Sequence, residues 1–100
     1  MVKLSVLYGQ PKDATAFEKY YAETHMPLAS KMQGVNRIEL SKVVGTPVGG
    51  DPPFYRMADL YFDDADHLKR VMETPEAKAT IADLANFATG GVTVLVSEVA

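Results

Sequence analysis

One hundred residues, 47% apolar and 23% charged, make one ordinary globular domain, of a size that buries only about two-thirds of the surface its unfolded chain exposes. Ten Lys plus Arg against thirteen Asp plus Glu leave a net charge of −3 with no basic cluster, which argues against nucleic acid as a partner. The lack of cysteine excludes disulfides, thiolate metal sites and thiol nucleophiles, and no apolar run reaches the roughly 18 residues of a spanning helix, so a cytoplasmic protein with no membrane part is expected.

"VKLSVLY" puts Val2, Leu4, Val6 and Tyr8 on one parity and Lys3 and Ser5 on the other, the alternation of a strand closed by Gly9-Gln10-Pro11. Asp13 suits the N-cap of a helix in which Phe17, Tyr20, Tyr21, Thr24 and Leu28 recur at helical spacing. That helix then meets His25-Met26-Pro27. Pro27 lacks the N–H that would bond back to Glu23 and crowds the same carbonyl, while Met26 before it is pushed toward extended geometry, so a break or kink is predicted. After Gly34, "VNRIELSKVV" and "FYRMADLYF" read as two strands of a hairpin. Their Gly/Pro-rich connector, residues 45–53, has neither the Lys-Ser/Thr of a phosphate loop nor the spacing of a dinucleotide turn. "DDADHLKRVMETPEAKATIADLANF" is helical, with Ala65, Leu68, Val71 and Met72 on one face and a fresh start at Thr74-Pro75-Glu76, hence two helices in series. Thr89-Gly90-Gly91 turns the chain into a last strand, "VTVLVSEV".

The order β-α-β-β-α-β predicts a single α+β domain over 1–100, a ferredoxin-like sandwich whose four-stranded antiparallel sheet carries helices on one face. Leu4, Val6, Tyr8, Leu60, Phe62, Val92, Val94 and Val96 are expected under the helices. The opposite parity (Lys3, Ser5, Leu7, Tyr55, Met57, Asp59, Tyr61, Thr93, Leu95, Ser97) is too apolar in its centre for a fully solvated face, and such a patch marks an interface. Two copies packed face to face would bury on the order of 800 Å² each. A homodimer through the open sheet face is the expectation.

His25 follows Tyr21 by four residues, at the margin of the stripe of Phe17, Tyr21 and Leu28. Two readings stay open: a titratable acid or base looking into a pocket between helices and sheet, or a corner imidazole bonded to a carbonyl freed by Pro27. Tyr8 and Tyr21 either present phenols to that pocket or fill the core. Arg56 either binds an anionic or phenolate oxygen or stays solvated. Asn86 and Phe87 either line the pocket mouth or cap the helix end and plug the core. His67, between Asp66 and Leu68, is expected to be exposed and therefore a poor axial ligand for haem. No metal site is expected, since neither histidine belongs to a ligand pattern.

"KLSVLYGQP", the run Phe17-x-x-Tyr20-Tyr21-x-x-x-His25-x-Pro27-Leu28, "YRMADLYFDD" and the ending "ADLANFATGGVTVLVSEV" together resemble the EthD family of the dimeric α+β barrel superfamily, over nearly the whole chain. The resemblance implies a face-to-face sheet dimer, a pocket in each subunit between the helices and their own sheet, and His25 at the family's histidine position. The family is named for a small protein needed beside a cytochrome P450 system that degrades an ether fuel additive; its members are linked to oxidoreductase systems, with no reaction assigned to themselves. Relatives on the same architecture include cofactor-free monooxygenases, lactone isomerases, polyketide cyclases and haem-binding enzymes, among which fold alone does not choose. Three functions are therefore weighed. One is a cofactor-independent enzyme using His25 as acid/base on a small hydrophobic (aromatic, lactone or ether-derived) compound. The others are a carrier of such a metabolite, or an aid to a monooxygenase system, and a haem-dependent oxidase.

Overall fold

The computed structural model describes residues 1–100 in the order β1 (Val2–Gly9), α1 (Ala14–Tyr20), a π-helical turn (Tyr21–His25), α2 (Met26–Ala29), β2 (Arg37–Lys42), β3 (Phe54–Phe62), α3 (Ala65–Met72), α4 (Pro75–Phe87) and β4 (Val92–Glu98). All pairings are antiparallel and the strands lie in the order β2-β3-β1-β4, the expected ferredoxin-like α+β arrangement. Residue parity sets the register. Val2, Leu4, Val6 and Tyr8 stand opposite Phe62, Leu60, Ala58 and Arg56 on one side, and opposite Glu98, Val96, Val94 and Val92 on the other. Beneath the helices one apolar cluster gathers Val2, Leu4, Ala58, Leu60, Phe62 and Val71, and a second, mainly aromatic, gathers Tyr8, Phe17, Tyr21, Leu84 and Phe87.

Helix starts follow their side chains. Asp13 accepts the N–H of Ala16, Asp64 that of His67 and Thr74 that of Ala77, each cap stabilising its helix by about 1 kcal/mol. Thr74 and Pro75 divide the long helical segment into α3 and α4, as read from the sequence.

Of the expected break or kink at Pro27, the break does not occur. Met26 remains helical (φ −62, ψ −37), and its N–H bonds to the carbonyl of Tyr21, five residues back instead of four. A proline costs a helix its i−4 bond and crowds that carbonyl; one widened turn accommodates both while the chain stays helical from Ala14 to Ala29. The helix closes three residues later, where Ser30 bonds to Met26 and Pro27 through its N–H and hydroxyl.

A second expectation needs correcting at the sheet edge. Val92, Val94 and Val96 share the parity of the helix-covered face but are 39%, 47% and 59% exposed. The helices lie over β1, β3 and β2, whose Leu4, Val6, Ala58, Leu60, Ile38 and Leu40 face them across a cavity, so β4 extends past the cover. On the open face, polar pairs thread the apolar residues: Ser5 donates to Asp59, Tyr61 donates to Glu39, and the Arg37 guanidinium lies 4.2 Å over the Tyr61 ring.

His67 also differs from expectation. Its side chain is only 15% exposed. Nδ1 accepts from the Asp63 N–H at 3.0 Å, so Nε2 carries the proton and donates to the Gly34 carbonyl at 2.6 Å. The loop before β2 has folded over the helix, which a wheel of α3 alone does not reveal. At the other end of the sheet, a Cβ on Gly90 would stand 2.1 Å from the Gln10 carbonyl oxygen and one on Gly9 would stand 2.2 Å from that of Gly90. Only glycine allows this approach, which pins the end of α4 beside Tyr8.

Candidate functional site

An apolar cavity with room for about 50 Å³, partly continuous with solvent, lies between α2, α4, the π-turn and the sheet. Leu40 and Ile81, half exposed, mark its mouth; Tyr8, Tyr21 and His25, at 1%, 4% and 4% exposure, mark its closed end.

The π-turn brings His25 there. In a regular helix every fourth residue drifts by about 40° around the axis, which would leave His25 at the edge of the stripe begun by Phe17 and Tyr21. The widened turn takes up the drift. Phe17 stacks on Tyr21 at 5.6 Å and 18°, and Tyr21 on His25 at 5.8 Å and 21°. Pro27, which makes the widened turn favourable, thus helps to direct an imidazole inward.

His25 Nδ1 lies 3.0 Å from Asp83 Oδ2, Nε2 lies 3.4 Å from the Tyr8 hydroxyl, and the ring centre is 4.6 Å from that of Phe87. Asp83 is buried; its Oδ1 accepts from the Tyr20 hydroxyl at 2.6 Å and from Asn86 Nδ2 at 3.0 Å. Burial pushes the Asp83 carboxyl up, but hydrogen bonds from Tyr20, Asn86 and His25, together with the charge that His25 carries when protonated, outweigh it and hold the group below the usual carboxylate range. An ionised carboxylate only accepts, so it takes the Nδ1 proton and leaves the Nε2 lone pair facing Tyr8 and the cavity. Burial first, and then Tyr21 and Asp83, push the Tyr8 phenol well up against the opposing pull of Arg56. Tyr8 is therefore a proton donor throughout the physiological range. The arrangement supplies one basic nitrogen, oriented from behind, beside a neutral phenol.

Of the residues singled out from the sequence, the cavity brings together Tyr8, Tyr21 and His25. Arg56 is elsewhere engaged: Nε and Nη2 hold the two oxygens of Glu18 at 2.8 and 2.9 Å, and its Cζ lies 5.0 Å over the Tyr21 ring. Those bonds to Arg56, against a smaller opposing effect of burial, lower the Glu18 carboxyl, so the guanidinium charge is already matched. Asn86 is exposed and steadies Asp83. Phe87 packs behind the imidazole as core instead of lining the mouth. Asp83 and Tyr20 are the participants that sequence reasoning missed. A signal existed for Asp83: with Thr80, Leu84 and Phe87 it lies on the buried face of α4, and an acid at such a position asks for a partner. No three metal-ligating side chains gather anywhere in the chain.

These parts define a ferredoxin-like α+β protein with a His–Asp pair at the closed end of an apolar cavity. The family model described as the EthD domain matches residues 10–91. A protein of Rhodococcus erythropolis, named an uncharacterized 11.0 kDa protein in the thcB-thcC intergenic region, is 34% identical over 99 residues, covering 98% of this chain and 94% of that one. The chain belongs to the EthD family. The crystal structure of an EthD family protein from Bacillus halodurans superposes with a TM-score of 0.92 at 39% identity, over 100% of this chain and 99% of that one. A dimeric ferredoxin-like protein of unknown function from Bacteroides fragilis gives 0.67 at 19% identity, over 98% and 95%, and shares the fold alone. No helix is long and apolar enough to cross a membrane.

Proposed function

We propose that this protein is a small cofactor-independent enzyme that moves a proton on a neutral hydrophobic compound, with His25 Nε2 as acid and base. The observation that carries this reading is the buried imidazole at the end of the cavity with Nδ1 held 3.0 Å from an ionised carboxylate. Placed so, a general base contributes about 10²–10⁴ in rate. A carrier would need the same cavity, but it gains nothing from a buried anion tied by three donors behind the ring, since burying charge costs free energy that apolar packing would not. For haem, His67 is directed at Gly34 and Asp63 and away from the cavity. Aromatic, lactone or ether-derived products of a monooxygenase system are compatible with the cavity, which fits a role beside such a system.

The test is exchange of substrate C–H for C–D in D₂O, followed by NMR with no cofactor added, over a panel of neutral aromatic ketones, phenols and lactones. At least one class is expected to exchange with the parent protein and to bind His25→Gln without exchanging. An inert parent across the panel, or an equally active His25→Gln, would sink the reading.

We further propose that two copies pair through the open sheet face, where Leu7, Met57 and the half-exposed Leu95 lie among the polar pairs; the distant Bacteroides fragilis protein is described as dimeric. Leu95→Lys is expected to halve the mass measured by light scattering and to leave cavity binding intact. An unchanged dimer mass rejects this face as the interface.

A further inference from the structure

The cavity has a stiff floor and a yielding roof. Leu4, Val6, Ala58 and Leu60 form the floor on β1 and β3, strands hydrogen-bonded to neighbours on both sides. Met26, Met32 and Met72, three of the chain's five methionines, reach the roof from the start of α2, the loop after it and the end of α3. All three are partly exposed. Methionine is unbranched, turns about three bonds and is polarisable, so it yields to a guest where a branched side chain resists. The other roof residues offer no such freedom: Ala29 has no rotor, Thr80 is tied to the Glu76 carbonyl, and Ile81 is stiff at its branch. Room for about 50 Å³ is too little for a ring compound, since it takes about 150 Å³ to admit benzene. A ring substrate therefore enters only if the roof gives way.

We propose that the cavity is an expandable pocket for a flat, uncharged aromatic compound, opened by outward displacement of Met32 and Met72. This rests on the proton-transfer reading above and names its substrate class. Three features select that class. The lining contains no Asp, Glu, Lys or Arg, so a charged guest would be buried without a partner, which is strongly disfavoured. A guest between the sheet and the helices is confined to a layer, which suits a planar molecule. Thioether sulfur favours aromatic over saturated carbon, and Tyr8 and Tyr21 line the same space with rings. Met32 and Met72 pack on the apolar cluster of Leu4, Leu60 and Phe62 while still reaching solvent. Swinging outward costs them those contacts, and the guest restores the covering of the cluster. Met26 packs instead on the aromatic cluster of Tyr8, Phe17 and Tyr21, one residue from His25, so its sulfur meets the end of the guest nearest the imidazole.

The test is NMR of the parent protein carrying ¹³C at its methionine methyls, titrated with naphthalene and with its saturated counterpart decalin. Naphthalene should shift the methyl protons of Met26, Met32 and Met72, through the field of the bound ring, and leave Met1 and the open-face Met57 unmoved. The methyl carbons of Met32 and Met72 should move as well, marking a change of side-chain rotamer. Affinity is then compared in the double variant Met32→Leu with Met72→Leu, which keeps apolar volume and removes the sulfur. Naphthalene should lose at least about five-fold more affinity than decalin. The methyl shifts are read on the parent and stand whether or not the double variant folds. A parent that does not bind naphthalene, binding that leaves the Met32 and Met72 carbons unmoved, or an equal loss of both ligands in a folded double variant would each overturn the proposal. If His25→Gln still abolishes exchange on the ketone and lactone panel in that case, only the expandable aromatic pocket fails. Naphthalene bound with the expected methyl shifts, beside a parent inert across that panel, would support the pocket and remove the base.

Discussion

Asp83→Asn is expected to lower turnover about 10²–10⁴-fold, as much as His25→Gln, although it changes a single atom. Two donors, the Tyr20 hydroxyl and the Asn86 amide, converge on Oδ1. An asparagine here must offer its carbonyl oxygen to them, which leaves its NH₂ group facing His25 Nδ1 where Oδ2 now sits 3.0 Å away. An NH₂ group cannot accept, so the imidazole turns to the other tautomer, with the proton on Nε2 and no lone pair toward the cavity. The same logic gives a rescue. Adding Tyr20→Phe and Asn86→Ala to Asp83→Asn frees the amide to flip, lets its oxygen take the Nδ1 proton, and should recover at least about ten-fold of the loss. Ring-nitrogen NMR reports the tautomer directly. An Asp83→Asn variant that is as active as the parent, or that keeps its proton on Nδ1, rules out the tautomer argument. Asp83 also has a signature in stability. Its folded carboxyl is depressed, so the stabilisation is present above the unfolded value near pH 4 and is lost as pH falls through the folded value. Acid unfolding of Asp83→Asn should therefore depend less steeply on pH below about 4 than that of the parent.

What the sequence disclosed and what it withheld divide along one physical line. Period-two runs in β1 and β3, the caps at Asp13 and Thr74, and the glycine turn before β4 are local, and local chemistry decides them. Tyr8, Tyr21 and His25 share a cavity because two of them lie on one helix and the third is on the facing parity of β1. The misses are non-local. Whether Pro27 breaks a helix or widens it depends on the packing that Phe17, Tyr21 and His25 gain from the widened form. Arg56 and Glu18 are 38 positions apart, and His25 and Asp83 are 58 apart, so neither pairing is written in any spacing. The exposure of Val94 and Val96 follows from how far the helices reach across the sheet, which parity does not encode.

Phe87→Ala is expected to have the largest effect on stability, about 3–5 kcal/mol. Phe87 is 4% exposed, and its ring centre lies 5.1 Å from that of Tyr20, 5.2 Å from Phe17, 5.7 Å from Tyr8 and 4.6 Å from His25. It is the point where β1, α1, the π-turn and α4 meet. The vacated space has little means of collapsing. Tyr20 and His25 are tied to Asp83, Tyr8 is held in the sheet, and the end of α4 is fixed by the contact of Gly90 with Gly9 and Gln10. A site that cannot relax pays the cavity cost in addition to the lost burial, so the upper part of the range applies. Against a total of about 5–15 kcal/mol for a domain of this size, that is a large share. At about 4–8 °C per kcal/mol, the melting point should fall by more than about 12 °C. Phe87→Leu, which keeps most of the volume, should cost less than about 1.5 kcal/mol, and Asn86→Ala, one residue away on the exposed side, less than about 1 kcal/mol. Urea unfolding with a common slope measures all three. A Phe87→Ala cost below about 1 kcal/mol would show that the aromatic cluster can close around the gap, and with it the claim that packing holds His25 rigidly against Asp83 would fall.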